Sequence, residues 1–299
     1  MTTRNNHRLS RRQLLAAGAG GAWALAGLAS ARAATSPRVA TLDWAILETL
    51  LAIGANVVAG TELLQYRDVV VTPTIPADVA DLGLRGTPNF EVLHAAKPEL
   101  IFNSNFYAWA DDRMRLIAPV ESYAIYQHGA GPYQLSEQAT IAIGERLGLA
   151  GGHALVDATR DKLEAYNASF RKGDHRPILP INLGDARHFR VFGSDSMFGE
   201  VLTRTGLANA WPDLTSYSAT APVGIERLAA MPDAWIVLIP PHPAEALAEL
   251  RQSAFWNALP SVQQGRVLML GSINPYGALP AAARFADLLA GGLDRAWNG

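Results

Sequence analysis

Two segments of the chain, FEVLHAAKPELIF at residues 90–102 and IERLAAMPDAWIV at residues 225–237, follow the same plan. Each begins with about six residues that favour a short helix, continues through a proline that ends the helix, and finishes in an apolar run typical of a buried strand. Helices that alternate with buried strands indicate an α/β fold. The recurrence in two halves of the chain also suggests that this unit is repeated.

A second pair of signals recurs in the same order. One helix is expected to end at Gly54, six residues after Glu48, and another at Gly206, six residues after Glu200. Glycine commonly ends helices because it adopts the left-handed conformation without strain. Helix, glycine and strand recur in every α/β protein, so the repeats alone leave a chance similarity open. Their shared order favours a duplicated chain with two lobes.

The apolar pattern predicts further elements along the chain. Six short apolar runs are expected to be strands: Val39–Leu42, Leu100–Asn103, Ile178–Leu183, Phe189–Phe192, Trp235–Ile239 and Val267–Leu270. Stretches with helical periodicity lie near residues 45–53, 135–148, 153–171, 197–205, 224–230, 243–250 and 280–296. Together they predict two α/β lobes with a ligand cleft between them.

The domain boundaries follow from this pattern. We expect an N-terminal lobe at residues 34–151, a long rigid linking helix at 152–173 and a C-terminal lobe at 174–299. Leu163, Tyr166 and Phe170 recur at helical spacing in the linker, which is unlike a flexible glycine-serine segment.

Residues 1–33 have the features of a cleavable export signal. They contain five arginines and no acidic residue, a paired Arg11-Arg12 typical of the twin-arginine type, an apolar run, and a small-residue site at Ala31-Arg32-Ala33. Without them, 20 basic residues face 27 acidic ones, and the formal charge falls from −2 to −7, which argues against nucleic acid as a partner. The chain has no cysteine for lipid attachment, so we expect a soluble periplasmic protein.

Signatures of an enzyme or of a resident metal are missing from the sequence. It has no phosphate-binding loop, no dinucleotide fingerprint, no HExxH zinc motif and no GxSxG nucleophile elbow. Its seven histidines are never within four positions of one another. We therefore expect a binding protein without direct metal ligation.

Candidate binding residues cluster where strands and turns end. The glycine-flanked loop 83–89 (GLRGTPN) carries Arg85, and 103–109 (NSNFYAW) follows a predicted strand, where α/β folds place ligand sites. The second half of the chain contains three candidate segments of the same kind: 209–211 (NAW), 216–218 (SYS) and 274–277 (NPYG). Aromatic walls with one arginine suit a bulky ligand that carries anionic oxygens.

At these residues the chain resembles the periplasmic iron(III)-hydroxamate siderophore-binding proteins, which belong to the helical-backbone class of substrate-binding proteins of ABC importers. The likeness spans nearly the whole chain. The motifs that carry it are LDW at 42–44, GLRxxPN at 83–89, DxRHxxVFG at 185–193, NAW at 209–211, RLAA at 227–230 and YGA at 276–278.

The resemblance implies how a ligand is bound. Arg85 and Tyr107, with Ser104 beside them, match residues that hydrogen-bond the hydroxamate oxygens, and iron is held by the siderophore with no further cofactor. Trp44, Trp211, Tyr217 and Tyr276 match aromatic residues of the cleft wall. Asn103 and Asn274 stand where the family has further tryptophans, so a more polar pocket is expected.

The resemblance also implies partners. A loaded monomer delivers the ferric siderophore to an inner-membrane permease with a cytoplasmic ATPase, and one acidic residue at the tip of each lobe contacts that permease. Glu48 and Glu226 match these docking positions. Two other functions remain open: a corrinoid, haem or other siderophore carrier of the same class, in which His188 or Tyr107 would ligate haem, and a periplasmic enzyme that acts on a siderophore.

Overall fold

A computed structural model describes residues 36–215 and 222–298. The chain from Pro37 onward forms one compact unit. The predicted export signal at 1–33 lies outside the described residues, and so does Tyr217.

The first sheet has five parallel strands in the order β3-β2-β1-β4-β5. The strands are β1 Arg38–Thr41, β2 Asn56–Gly60, β3 Ala80–Asp81, β4 Leu100–Ser104 and β5 Val120–Tyr123. The helices that accompany them are α1 Trp44–Ala52, α2 Leu63–Val69, α3 Phe90–Ala95 and α4 Asp111–Arg115, with a 3-10 helix at Asn105–Ala110. Parallel strands all end at one edge of the sheet, so their loops converge there.

The second sheet is mixed. Its order is β10-β9-β6-β7-β8, in which β10, β9 and β6 are parallel and β7 is antiparallel to both of its neighbours. The strands are β6 Ile178–Leu183, β7 His188–Val191, β8 Val223–Gly224, β9 Trp235–Leu238 and β10 Val267–Met269. The other elements are α7 Met197–Arg204, a 3-10 helix at Ile225–Ala230, α8 Ala244–Gln252, α9 Ala254–Ala258, α10 Pro260–Gln263 and α11 Leu279–Asn298.

A helical layer connects the two sheets. It contains α5 Pro132–Leu147, α6 Gly151–Phe170, α7 and α11, which pack on one another. Phe198 of α7 stacks on Phe285 of α11 with ring centroids 4.3 Å apart, and both are fully buried. The main core runs from the first sheet through these helices to the second, so α6 does not stand alone between the sheets. Shared burial of this kind favours a rigid relation between the halves.

The predicted α/β class with two sheets is confirmed, and each of the six predicted strands coincides with an observed one to within about a residue. The long helix runs from Gly151 to Phe170, close to the predicted linker. The domain boundaries themselves stay predictions. Within the described ranges, none of the helices is long and apolar enough to cross a membrane.

Candidate ligand-binding site

A cavity of about 400 Å³ opens where the loops of the first sheet meet the segment that precedes α11. Its lining comes from both halves of the chain: Asp43, Trp44, Ala45, Arg85, Phe106, Tyr107, Asn274 and Tyr276. The sequence predicted five of these residues as binding residues, and they are brought together here: Trp44, Arg85, Tyr107, Asn274 and Tyr276. The cavity is therefore our candidate ligand-binding site.

Arg85 is fixed on the cavity wall by two neighbours. The carboxylate of Glu62 accepts a hydrogen bond from Arg85 Nε at 2.8 Å and another from the Arg85 backbone N–H at 2.9 Å. The guanidinium lies over the ring of Trp44, 4.0 Å from its centroid. Because Glu62 uses the Nε–H, the terminal Nη groups remain available to Tyr107 and to a ligand.

Glu62 adopts a left-handed backbone conformation, with φ 50° and ψ 44°. Its own N–H donates to the carbonyl of Gly83 at 2.9 Å, which ties the start of α2 to the loop that carries Arg85. The Asp81 carboxylate strengthens this junction by accepting from the N–H groups of Leu63 and Gly83 at 3.0 and 2.9 Å. The Arg85 loop is thus held by the backbone as well as by the ion pair.

Trp44 supports Arg85 from a buried position. Only 5% of its surface is exposed, its indole N–H donates to the carbonyl of Thr61 at 2.9 Å, and its ring packs edge-on against Tyr66 with centroids 5.6 Å apart. A buried indole with a satisfied N–H offers a fixed π face, on which a guanidinium is stabilised.

Asp43 was not identified from the sequence, although it lines the cavity. It is the N-cap of α1: one carboxylate oxygen accepts from the N–H groups of Ala45 and Ile46 at 2.6 and 3.2 Å, and the other accepts from Ser104 Oγ at 2.6 Å. Burial raises the pKa of Asp43, and these hydrogen bonds oppose the shift. A signal for it existed, since an aspartate just before an apolar helix is a common N-cap.

Three aromatic rings are in contact from the first half of the chain to the second, and two of them, Phe106 and Tyr276, line the cavity. Phe106 packs near Tyr126 with centroids 6.1 Å apart, and Tyr126 packs edge-on with Tyr276 at 6.2 Å. Phe106 and Tyr276 are 48% and 39% exposed, so both rings present apolar surface at the cavity. They give the cavity an apolar surface beside its polar groups, although Phe106 was not singled out from the sequence.

Tyr107 lies in the 3-10 helix after β4 and is partly buried. Burial raises its pKa, while the hydrogen bond and the positive charge of Arg85 oppose the shift. The hydroxyl therefore stays protonated at neutral pH and is able to donate a hydrogen bond beside the guanidinium.

Glu48 and Tyr126 tie the first half of the chain to the second just behind the cavity. Glu48 accepts hydrogen bonds from the N–H groups of Ala278 and Ala281 at the start of α11, and Tyr126 donates its hydroxyl to the carbonyl of Gly277 at 2.7 Å. Burial raises the pKa of Glu48 to about 8. The loop that carries Asn274 and Tyr276 is thereby fixed from the opposite half.

This position makes the docking prediction for Glu48 wrong, because its side chain has no exposed surface with which to meet a transporter. The docking role of Glu48 was implied by the resemblance, and the sequence alone does not indicate whether this glutamate is exposed. Here the N-terminus of α11 supplies backbone donors that let a carboxyl group be buried. Glu226, the other predicted docking residue, is exposed.

Three predicted ligand-binding residues do not line the cavity. Trp211 is 7% exposed and packs in the core of the second sheet. Ser104 is 1% exposed; its hydroxyl donates to Asp43 at 2.6 Å and accepts from the Phe106 N–H at 3.3 Å, and both of these partners line the cavity. Asn103 is fully buried, and its amide donates to the Tyr107 carbonyl at 3.0 Å and to Asp111 at 2.6 Å. All three side chains are buried because their strand or core positions turn them inward.

The described residues contain no group of three or more histidine, aspartate or glutamate side chains able to hold a metal ion. His188 is half exposed and pairs with Asp185, 3.0 Å away, outside the cavity lining. The site can therefore offer hydrogen bonds, one guanidinium and aromatic surface, which suits the recognition of a preformed complex.

Residues 39–273 match the family described as periplasmic binding protein. The chain belongs to this family. It is also 30% identical over 284 residues to the iron(3+)-hydroxamate-binding protein FhuD of Escherichia coli strain K12, a match that covers 94% of this chain and 95% of that protein. The resemblance found in the sequence is thereby confirmed.

Solved structures share the fold. The Fe3+-Desferal-bound siderophore-binding protein FhuD of Vibrio cholerae superposes with a TM-score of 0.82 at 23% identity, covering 86% of this chain and 98% of that one. FhuD2 of Staphylococcus aureus with bound ferrioxamine B gives a TM-score of 0.69 at 17% identity, covering 87% and 99%.

Proposed function

We propose that this protein binds a ferric hydroxamate siderophore in the cavity and delivers it to an ABC importer for iron uptake. The observation that carries the proposal is Arg85, which Glu62 and Trp44 hold rigidly on a wall that faces exposed aromatic rings. The name of the E. coli relative, and the Desferal and ferrioxamine B in the two solved structures, support the choice of ligand.

Each group of the site has a role in this binding. Arg85 and Tyr107 donate hydrogen bonds to the hydroxamate oxygens that surround the iron, and charge-assisted bonds of this type contribute about 1.5–3 kcal/mol each. Phe106 and Tyr276 pack on the apolar backbone of the siderophore. The Asn274 side chain also lines this cavity. Iron reaches the protein only inside its chelator, as cargo.

The test is a titration of the purified protein with ferrichrome and ferrioxamine B, followed by quenching of tryptophan fluorescence. Saturable quenching by the ferric complexes, and much weaker binding of the iron-free chelators, is the expected result. The mass of the bound siderophore should be unchanged after incubation, as expected for a carrier. Binding of neither complex by a folded protein contradicts the proposal.

The same experiment separates the other functions considered. A haem carrier would give a Soret band on addition of haem, with Tyr107 as the ligand available in the cavity. The tryptophan fluorescence of a corrinoid carrier would be quenched by cobalamin and not by the ferric siderophores. An enzyme would change the mass of the siderophore, and the family of binding proteins supports the absence of such turnover.

Docking to the permease requires a new residue in the first half of the chain, because Glu48 is buried. When residues 90–102 are aligned with residues 225–237, Glu91 occupies the position equivalent to that of Glu226. Both glutamates are exposed and lie in the first turn of their helices. We propose that these two carboxylates contact the transporter. The protein acts as a periplasmic monomer, exported by the leader at 1–33, and the permease works with a cytoplasmic ATPase.

Replacing Glu91 and Glu226 by arginine tests this docking surface. Siderophore affinity should stay unchanged, since neither residue lines the cavity, whereas uptake of radiolabelled ferric siderophore by cells should be lost. Glu249→Arg, on the exposed face of α8, is the matched control and should transport normally. Normal uptake by the double variant would show that docking uses another surface.

A further inference from the structure

The cavity has one guanidinium, and its charge is already compensated. Glu62 lies 2.8 Å from Arg85 Nε, and 13% of the Glu62 side chain and 33% of the Arg85 side chain are exposed, so the carboxylate is shielded from water more than the guanidinium is. The other ionisable acid of the lining is Asp43, which adds either no charge or a negative one. Among the described residues that line the cavity, no positive charge therefore remains without a partner.

Residues 216–221, which lie outside the described residues, add no charge to this balance. Their sequence is SYSATA, which contains no charged side chain. The aromatic rings and Asn274 on the far side of the cavity are also neutral. The binding surface as a whole is neutral or weakly negative, although it contains an arginine.

Ferric siderophores differ in net charge for a simple chemical reason. Three hydroxamates each carry one negative charge and neutralise Fe³⁺, so the complex is neutral unless its backbone adds a charge. Three catecholates each carry two negative charges, so their complex with Fe³⁺ has a net charge of −3. A site without uncompensated positive charge disfavours the second type, because a desolvated anion without a counter-charge is costly.

We propose that the site selects ferric complexes of zero or positive net charge, and that Glu62 is the residue that sets this preference. The inference rests on the proposed function of the same site. Arg85 supplies directional hydrogen bonds to the oxygens around iron, while Glu62 cancels its long-range attraction for anions. Glu62 is a specificity-determining residue that acts through Arg85 and through its own charge.

The test compares three ferric complexes that share the same iron-binding core but differ in net charge. Ferrioxamine B carries a terminal ammonium group and is +1, its N-acetyl derivative is neutral, and its N-succinyl derivative is −1. Each is titrated into the wild type, Glu62→Gln and the control Glu121→Gln. The control removes a carboxylate from a similar ion pair with Arg146, 2.6 Å long, that does not line the cavity.

The wild type should bind the anionic complex most weakly, because the cavity offers it no uncompensated positive charge. Loss of one negative charge several ångströms away, at an intermediate dielectric, should lower the ratio of cationic to anionic affinity by about five- to thirtyfold. Glu62→Gln keeps an acceptor for Arg85 but loses the charge, so the ratio should fall by this factor. Glu121→Gln should keep the wild-type ratio.

Two results overturn the inference alone: equal wild-type affinities for the three complexes, or a Glu62→Gln variant that changes all three by the same factor. Failure of the wild type to bind any of them overturns the proposed function as well. If circular dichroism shows that Glu62→Gln does not fold, the salt dependence of the three wild-type affinities tests the inference instead. Raising ionic strength from about 0.02 to 0.5 M should make the three affinities converge, and salt-independent ratios contradict a charge effect.

Discussion

Each half of the chain stacks an arginine on a buried tryptophan, but the two pairs have different surroundings. In the first half Arg85 lies 4.0 Å from the ring of Trp44, is held by Glu62, and faces the cavity. In the second half Arg227 lies 5.5 Å from the ring of Trp211, and neither residue is part of the cavity lining.

The difference shows that the neighbours of a residue pair decide its role. Trp44 follows the N-cap Asp43 at the edge where parallel strands end, which is where a ligand can approach. Trp211 is packed in the core of the mixed second sheet, with its backbone N–H bonded to Asn209 at 2.9 Å. Most polar groups of the cavity lining therefore come from the first half, and the second half supplies the amide of Asn274 and the ring of Tyr276.

The largest expected effect is on binding, at Arg85. Arg85→Ala removes the charged hydrogen bonds to the ligand and leaves Glu62 unpaired, so affinity for a ferric hydroxamate should fall by about ten- to a hundredfold, or about 1.5–3 kcal/mol. Fluorescence titration measures it. An unchanged affinity would place the recognition of the ligand elsewhere.

A second, smaller effect tests whether the halves are independent. Glu48→Ala removes the acceptor for the N–H groups of Ala278 and Ala281, and unfolding by urea should show a loss of about 1–2 kcal/mol. Glu48→Gln keeps an acceptor and serves as the control. A Glu48→Ala variant as stable as the wild type would mean that this contact does not join the halves.

Glu48 also gives the stability a dependence on pH. Its pKa of about 8 in the folded protein lies above the ordinary value of a glutamate, so below about pH 4 both states hold the proton and its contribution is fully present. As pH rises towards 8 the unfolded state ionises first, and stability is lost. Glu48→Gln should lack this decline between about pH 5 and 8, and an identical decline in both proteins would exclude Glu48 as its source.

The smallest effect is expected at Arg227. Arg227→Ala should leave siderophore affinity within about twofold of the wild type, and it should lower the free energy of unfolding by no more than about 0.5–1 kcal/mol, the usual range of an exposed cation–π contact. The same titration and urea unfolding measure both. A loss of affinity like that of Arg85→Ala would end the distinction between the two pairs.

The strands were predicted well from the sequence because a buried strand is a short, continuous apolar run that can be recognised locally. The run at 235–239 was expected to be a strand, and Trp235–Leu238 forms one. Arg85 and Tyr107 both line the cavity, in keeping with their places in a glycine-flanked loop and at the end of a strand, where side chains reach a cleft; their role in binding stays a prediction.

The errors concern side-chain direction and contacts between distant parts of the chain. Asn103 and Ser104 end the same strand that leads to Tyr107, and nothing local reveals that both turn inward. The burial of Glu48 depends on Ala278, which is 230 residues further along the chain. A single sequence does not show such a contact, and for the same reason the ion pair of Glu62 with Arg85 was missed.

The left-handed backbone of Glu62 gives a protein engineer an unusual opportunity. A residue with a β-carbon in this conformation costs about 1–2 kcal/mol, whereas asparagine and glycine adopt it readily. Most changes that alter the specificity of a binding site reduce stability. At this position an uncharged replacement such as asparagine alters the charge of the site and relieves backbone strain, and the relief offsets part of the stability that is lost with the hydrogen bonds to Arg85.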